Sequence, residues 1–523
     1  MAVNLKFLVA ILLLTASVVL AVIIPPFQSP DENDHIKRAF LLSRGVLIVE
    51  TPHGMSSGGL IDSGLLTFMD AYPPRMTAQS VSPEVNKLTW TGNRIFSAAP
   101  GTGYYLPLVY APQAVALAIG QALDLTIDLS YRLARGAALA ASLLLIVAAL
   151  SLYPASPLVL ALLALPMTLF QLSSASLDGI TTGLALFAVA AFMRIAQDRE
   201  DASRWLTLGL ALAVVLLATS RIHAAPLLLL LLAACYIQRD WRAAVLFVVS
   251  VCIFLAWTYF AMNSVADLRV AGNQPPGMIV SYYLTHPFAF VSLVAATLSA
   301  PNYLNGYLVS FLGVLGWLDA SFSAEFYQTV LRLVAVIGGL SLSLSDLKSD
   351  WPERLVLLLL SAASAALVFL ALLVTWNPHP AHLIDGVQGR YFLIPAIMLS
   401  YAVAGGRPTS IIWGRGIALF LCLCLFLVSL RGTAELLLER YHLPSAPSQT
   451  GAAGMIPLDI LREVPDLASA MSSHSPETRK RFALNLTNSW HGSVAVEVAW
   501  PVWQGGRTSP LVALAANRSL KFL

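Results

Sequence analysis

This chain alternates long apolar segments with polar connections, and that alternation leaves few folds open to it. The 523 residues are 57% hydrophobic and only 11% charged, whereas a soluble globular domain carries roughly 25% charged residues. So little charge cannot cover the water-exposed surface of a soluble protein of this size. A soluble enzyme, a disordered chain, a collagen and a disulfide scaffold are therefore excluded. The sequence predicts an all-α polytopic membrane protein.

The apolar segments also predict the number of membrane-spanning helices. A helix that crosses a bilayer needs about 20 apolar residues at a rise of about 1.5 Å each. We expect about eleven such helices, and the first is interpreted as uncleaved because its apolar core exceeds the ~7–15 residues of a signal peptide. The predicted spans are 5–24, 132–152, 158–174, 179–196, 205–219, 224–237, 243–262, 327–344, 355–376, 391–404 and 412–430.

The positions of lysine and arginine predict that the N-terminus lies inside, in the cytoplasm. This orientation requires that segment 105–124, which contains Pro107 and Pro112, lies at the outer membrane interface without crossing it. The short connections then carry their positive charge on the cytoplasmic side, at Arg194, Arg199, Arg204, Arg239, Arg242, Lys348, Arg354, Arg407 and Arg415.

Three polar stretches consequently lie on the exoplasmic side. Two are loops of a transmembrane domain spanning residues 1–431, namely 25–131 and 263–326, and the second includes an interfacial helix near 281–299. The third, 432–523, alternates apolar and polar residues near its end and predicts a small exoplasmic domain containing β-strands.

The first acidic cluster follows the first predicted helix directly. Three prolines end that helix, and Asp31, Glu32, Asp34 and His35 come next. Carboxylates at a membrane boundary are costly to desolvate. Either they supply a general base or a metal site at the outer surface, or Asp31 and Asp34 only cap the helix that follows. Both interpretations stay open here.

Three further exoplasmic loops carry charges on the same side of the membrane as Asp31. Asp178 separates two apolar segments, and it is interpreted either as a second site carboxylate or as a helix N-cap. Arg221 places a strong positive charge in a short exoplasmic loop, although lysine and arginine favour cytoplasmic loops. It is interpreted either as a site residue or as a side chain that snorkels to the membrane interface. Arg390 precedes a predicted helix, where a planar guanidinium suits a phosphate.

Several signals exclude other functions or stay ambiguous. A net charge of +3 without a polybasic run predicts no nucleic-acid partner. The chain has no P-loop, no G-x-S-x-G and no H-E-x-x-H, so ATP hydrolysis, serine hydrolysis and zincin chemistry have no support. Trp317 and Asp319, in GVLGWLDA, form either a wall of the substrate site or an ordinary packing element.

Together these motifs resemble a bacterial family of membrane proteins known as domain-of-unknown-function 2142. The stretches that carry the resemblance are PPFQSPDENDHIKRA, YLPLVYAP, SSASLD, GVLGWLD and GVQGRYFLIP, in an order that fits across roughly residues 5–430. The family in turn resembles the GT-C superfamily of polytopic glycosyltransferases. In that superfamily an acidic motif after the first helix is catalytic, and late exoplasmic arginines hold a lipid-linked phosphate.

The resemblance implies a transferase of the bacterial inner membrane whose site faces the exoplasm and serves cell-envelope polysaccharide synthesis. The donor would be a polyprenyl-phosphate-linked sugar and the acceptor a glycan or lipid-linked molecule. The acidic pair reads Asp-Glu and not Asp-x-Asp, so the superfamily's metal dependence does not carry over directly. No cofactor is assigned, and a divalent metal stays open. The expected catalytic residues are Asp31 as base, with Glu32 and Asp178, and the expected substrate contacts are Arg390, Arg221, His35, Gln388, Tyr391, Trp317 and Asp319.

Two other functions are weighed against this one. A transporter or flippase of a lipid-linked envelope precursor would carry charges within its spans and often shows inverted repeats. Here the charges gather on one face, and no repeat is visible. A non-catalytic assembly subunit is the second alternative, and it requires no convergence of Asp31 with Arg390.

Overall fold

The computed structural model describes residues 5–74, 76, 81–269, 274, 276–342, 350–404 and 412–443. The first half of the chain contains helices α1 (Leu5–Ile23), α2 (Glu32–Ser43), α3 (Ser63–Asp70), α4 (Pro100–Gly103), α5 (Ala111–Ala122), α6 (Ile127–Leu152), α7 (Pro157–Leu163), α8 (Pro166–Leu172), α9 (Asp178–Asp198), α10 (Arg204–Ser220), α11 (Leu229–Gln238) and α12 (Trp241–Ser264). The second half contains α13 (Pro276–Thr285), α14 (Pro287–Ser299), α15 (Tyr303–Gly313), α16 (Ala324–Ser341), α17 (Trp351–Trp376), α18 (Leu393–Val403) and α19 (Ile412–Tyr441).

Helix α9 lies at the centre of this bundle. It packs against α6, α8, α10, α11 and α18, and 89% of its most apolar window is buried, compared with 11% for α12. A helix that is apolar on all faces can be surrounded by other helices, whereas a peripheral helix leaves its apolar side chains to the lipid. The central position of α9 brings its first residue, Asp178, among the ends of several neighbouring helices.

The helix lengths support a multi-pass membrane protein but do not confirm the predicted count of eleven. Within the described ranges six helices are long and apolar enough to span a membrane, or seven if the bent pair α13–α14 is one span. Predicted span 158–174 is instead two seven-residue helices, α7 and α8, since Pro166 begins a new helix. Predicted spans 205–219, 224–237 and 391–404 fall on shorter apolar helices of 10–17 residues.

The two segments interpreted as interfacial are shorter or more bent than a spanning helix. Segment 105–124 contains a 3-10 turn, Pro107–Tyr110, and then the 12-residue α5. Twelve residues rise only about 18 Å, less than the ~30 Å of the hydrocarbon core. Helices α13 and α14, which cover the predicted interfacial segment 281–299, meet at an angle of 101°.

The structure also contains two small β-ribbons and a second, smaller hydrophobic core. Strands β1 (Gly58–Asp62) and β2 (Arg94–Ala98) pair antiparallel, as do β3 (Val314–Leu315) and β4 (Ala320–Ser321). Separate from the main core, α13, α14 and the end of α17 bury a small cluster that includes Tyr283, Phe369 and Ile384. This cluster supports the connection that leads from α17 to Arg390.

The predicted C-terminal domain lies almost wholly outside the described residues. Helix α19 continues to Tyr441, so positions 432–441 are helical. Its end is fixed to the first helix, because His442 Nε2 lies 2.7 Å from the backbone oxygen of Ile23. The prediction of β-strands in 444–523 concerns residues that the structure does not describe.

Candidate functional site

Asp31 occupies a left-handed backbone position where the chain leaves the first helix. Prolines at 25, 26 and 30 end α1 and lie in a connection made of bends and turns, and Asp31 is the N-cap residue of α2, with φ 61°. Its side chain makes no capping hydrogen bond. Instead Oδ2 accepts from Arg390 Nη2 at 3.3 Å, and about half of the side chain (51%) is exposed. Asp31 thus occupies the N-cap position through its backbone, while its carboxylate pairs with Arg390 and does not cap the helix.

The next residue, Glu32, has the opposite environment, since it is 0% exposed. Its Oε1 accepts from the Tyr131 hydroxyl (2.8 Å) and from the Ala175 backbone N–H (2.6 Å), while Oε2 accepts from the Ser29 backbone N–H (3.3 Å). Arg135 Nη2 lies 3.6 Å from Oε1. Glu32 thus ties the loop that carries Asp31 to α6 and to the loop that precedes α9.

Asp178 and two arginines form the inner part of the site. Asp178 is the first residue of α9 and is buried, and the N-cap position belongs to Leu177. Arg221, directly after α10, donates to Asp178 Oδ1, and Arg390 Nη1 lies 3.5 Å from Asp178 Oδ2. Because Arg390 also contacts Asp31, it joins the two carboxylates. The result is a cluster of two carboxylates and two guanidiniums, which we name the four-charge cluster (Asp31, Asp178, Arg221, Arg390).

The four-charge cluster pairs two negative side chains with two positive ones in largely apolar surroundings. Removing charges from water costs several kcal/mol per ion unless each is paired and hydrogen-bonded. Arg390 and Asp178 are both buried, whereas Asp31 keeps access to solvent. The half-exposed Asp31 carboxylate is the part of the cluster that is open to solvent.

Aromatic and imidazole side chains surround the cluster. Arg221 Nη1 lies 3.5 Å from the Tyr105 hydroxyl, and the His35 ring is stacked on Tyr105 with centroids 6.4 Å apart. His35 Nδ1 lies 2.7 Å from the Tyr110 hydroxyl. Burial lowers the pKa of His35 to about 4, although the charges of Asp178 and Asp31 oppose this shift. His35 is therefore neutral at pH 7, and Tyr105 lies between it and Arg221 in this chain of contacts.

The other predicted contacts have more peripheral places. The Arg390 guanidinium lies over the Tyr391 ring at 5.3 Å, so Tyr391 borders the cluster. Gln388 is the N-cap residue of the 3-10 turn that carries Arg390. Trp317 Nε1 donates to the Phe27 backbone oxygen at 3.0 Å. Asp319 Oδ2 accepts from Arg440 Nη2 at 2.9 Å, so Trp317 and Asp319 hold the β3–β4 ribbon against segment 24–27 and α19.

The position of Arg390 depends on the preceding glycine. Gly389 N donates to the Ser310 hydroxyl at 2.8 Å, and a Cβ at position 389 would overlap backbone atoms of Phe311 and Tyr307. A side chain there would have to displace backbone of α15 and not a flexible neighbour. Only glycine lets the 3-10 turn Gly389–Phe392 pack this closely on α15.

Replacing Gly389 with alanine is therefore expected to lower the thermal midpoint and to weaken Arg390-dependent function. Overpacking of this kind typically costs about 1–3 kcal/mol. Thermal unfolding in detergent measures the effect. Gly339→Ala is the matched control, because nothing lies within 4 Å of a Cβ there and alanine favours the helix. Equal midpoints for the two variants would contradict the packing argument.

Several residues of the site were not predicted from the sequence. Tyr131 and Arg135 on α6 hold Glu32, and an arginine within an apolar segment was a usable signal for the second of them. Gln171 and His223, which line a cavity beside Arg221 and Arg390, are single polar residues in apolar surroundings. They do not stand out in the sequence, because buried polar side chains also serve ordinary hydrogen bonding.

The geometry of the described residues does not indicate a metal site. Within the described part of the chain, no group of three or more His, Cys, Asp or Glu side chains is arranged to hold a metal ion.

Fold and site together define a multi-pass helical membrane protein with a charged site where its first helix ends. The chain belongs to the DUF2142 family, described as a predicted membrane protein, whose profile matches residues 13–399. The match covers α2, Asp178, Arg221 and Arg390. No curated protein and no solved structure matches the chain.

Proposed function

We propose that this protein is a GT-C-type glycosyltransferase of the bacterial inner membrane. It would transfer a sugar from a polyprenyl-phosphate donor to an exoplasmic glycan or lipid-linked acceptor. The charge of the short connections supports an exoplasmic position for the site.

One observation carries the proposal, namely the convergence of charges from separate parts of the chain. Asp31, Asp178, Arg221 and Arg390 come from four segments spread over 359 positions and meet within hydrogen-bond distance. A transferase of this kind needs a carboxylate base next to cations that receive a phosphate leaving group. A half-exposed carboxylate beside a buried guanidinium meets both needs.

The chemistry assigns a different task to each charge. Asp31 would take the proton from the acceptor hydroxyl as its oxygen forms a bond to the anomeric carbon. The bond between that carbon and the phosphate oxygen breaks in the same displacement, and polyprenyl phosphate leaves with the electron pair. Arg390 and Arg221 would neutralise the charge that develops on the phosphate. A single displacement inverts the configuration at the anomeric carbon.

Glu32 is assigned a positioning task in this scheme. Its oxygens are committed to Tyr131, Ala175 and Ser29, and it has no access to substrate in this arrangement. Because it joins the loops before α2 and before α9, it holds Asp31 and Asp178 at a constant separation. Asp178 in turn orients Arg221 and Arg390.

The proposal is tested by incubating the purified protein with synthetic polyprenyl-phosphate sugars and candidate acceptors. A new glycosidic bond, with release of an equal amount of polyprenyl phosphate, is the expected result. Labelled lipid that crosses the bilayer of proteoliposomes without any new glycosidic bond would instead establish the transporter alternative and overturn the proposal.

A further inference from the structure

A cavity lined by both polar and apolar side chains lies beside the four-charge cluster. Its lining includes Gln171, Asp178, Arg221, His223 and Arg390. Gln171, Asp178, His223 and Arg390 are at most 7% exposed. Buried polar groups in apolar surroundings are costly unless a partner satisfies them. This cavity is therefore a place where a polar ligand would be stabilised.

Arg390 borders both this cavity and Asp31. Its Nη1 faces Asp178, which lines the cavity, and its Nη2 faces Asp31, which is absent from the described lining. Arg390 Nε is buried and makes no hydrogen bond within the described part of the chain. The guanidinium thus has donor capacity left in addition to its contacts with Asp178 and Asp31.

We infer that the phosphate of the donor binds in this cavity and thereby takes Arg390 away from Asp31. The base then becomes available only after the donor has bound. The inference rests on the proposed function for the identity of the donor. It adds where the phosphate lies, names Gln171 and His223 as its further contacts, and gives Arg390 a second task as the group that masks the base.

The exchange of partners has a direct physical reason. Arginine binds phosphate through two parallel charge-assisted hydrogen bonds, which are roughly twice as strong as neutral ones. Against this, Asp31 offers Arg390 a single contact at 3.3 Å and is half exposed, so water screens and replaces it easily. Asp178 keeps Arg221 as a partner throughout. Arg390 therefore loses its contact with Asp31 at a lower cost in free energy than its contact with Asp178.

The test measures how fast Asp31 reacts with a water-soluble carbodiimide, read by peptide mass spectrometry. The probe is farnesyl phosphate, a short polyprenyl phosphate without a sugar, and inorganic phosphate is the second arm. We expect the Asp31 reaction to become several-fold faster with farnesyl phosphate, while the exposed Asp124 reacts at a constant rate. Inorganic phosphate is expected to act only at higher concentration, and equal potency would overturn the assignment of the cavity to a lipid-linked phosphate.

Two variants separate the parts of the inference. Gln171→Leu is expected to raise the half-effective concentration of farnesyl phosphate roughly 10- to 100-fold, the value of one hydrogen bond to a charged group. Gln121→Leu, at the end of α5 and outside the cavity lining, is the matched control. In Arg390→Gln, Asp31 is expected to react fast without phosphate and to show no further increase.

The outcomes distinguish this inference from the proposed function. Binding of farnesyl phosphate in calorimetry with an unchanged Asp31 reaction would overturn the inference, even if transfer is observed. Absence of binding would overturn it as well. A phosphate-dependent Asp31 reaction in a protein that transfers no sugar with any donor would support the inference and count against the transferase.

Discussion

Replacing Asp31 with asparagine is expected to reduce the rate of sugar transfer by about 10²- to 10⁴-fold, the usual contribution of a general base. The amide has the shape of the carboxylate but cannot take a proton from the acceptor hydroxyl. Asparagine also tolerates the left-handed backbone that Asp31 adopts at φ 61°. We therefore expect an unchanged thermal midpoint and a loss that lies in the chemical step.

Asp124→Asn is the matched control for this substitution. Asp124 also has a positive φ, 51°, and it is exposed, so the same chemical change at the same type of backbone position should leave transfer unaffected. Single-turnover transfer with saturating donor measures both variants. If Asp31→Asn transfers sugar at the rate of the unmodified protein, another group is the base.

The largest effect on stability is expected for Glu32→Ala. This change leaves the buried Arg135 without its carboxylate and removes the acceptor of the Tyr131 hydroxyl and of two backbone N–H groups. Breaking a buried pair by removing one partner costs about 3–5 kcal/mol. A markedly lower thermal midpoint in detergent is expected, and Glu32→Gln should lose less because its amide oxygen still accepts from Tyr131.

Glu84→Ala is the control for the loss of a carboxylate. Glu84 pairs with Lys87 at 2.8 Å, but both side chains are more than 70% exposed, and surface pairs contribute ~0–1 kcal/mol. Its midpoint should stay close to that of the unmodified protein. Should Glu32→Ala unfold at the same temperature as Glu84→Ala, Glu32 does not hold the two loops together.

The charged residues of the site could be predicted because charge is rare in this chain. Asp31, Asp178, Arg221 and Arg390 stand out in apolar surroundings, and the orientation rule places all four on one side of the membrane. Neutral polar residues such as Gln171 and Tyr105 could not be found in this way. Their importance comes from their distance to the charges, which is not encoded in any local pattern.

Helix boundaries were predictable only where the apolar segment is a single straight helix. The first helix begins at the predicted residue 5 and ends at Ile23, next to the predicted residue 24, because three prolines stop it. Segment 158–174 is as apolar as a span, yet it is divided into α7 and α8 and buried by its neighbours. Hydropathy measures how apolar a segment is and does not distinguish burial in protein from burial in lipid.

By itself the sequence determined that this chain lies in a membrane and which few side chains remain charged there, because composition decides what can be exposed to water. The tertiary structure alone decided which charges meet. Asp31 and Glu32 are neighbours in the chain, but one is half exposed beside Arg390 and the other is enclosed by Tyr131 and Arg135. That difference depends on partners more than 90 residues away, whose positions follow from the packing of helices and not from any local pattern.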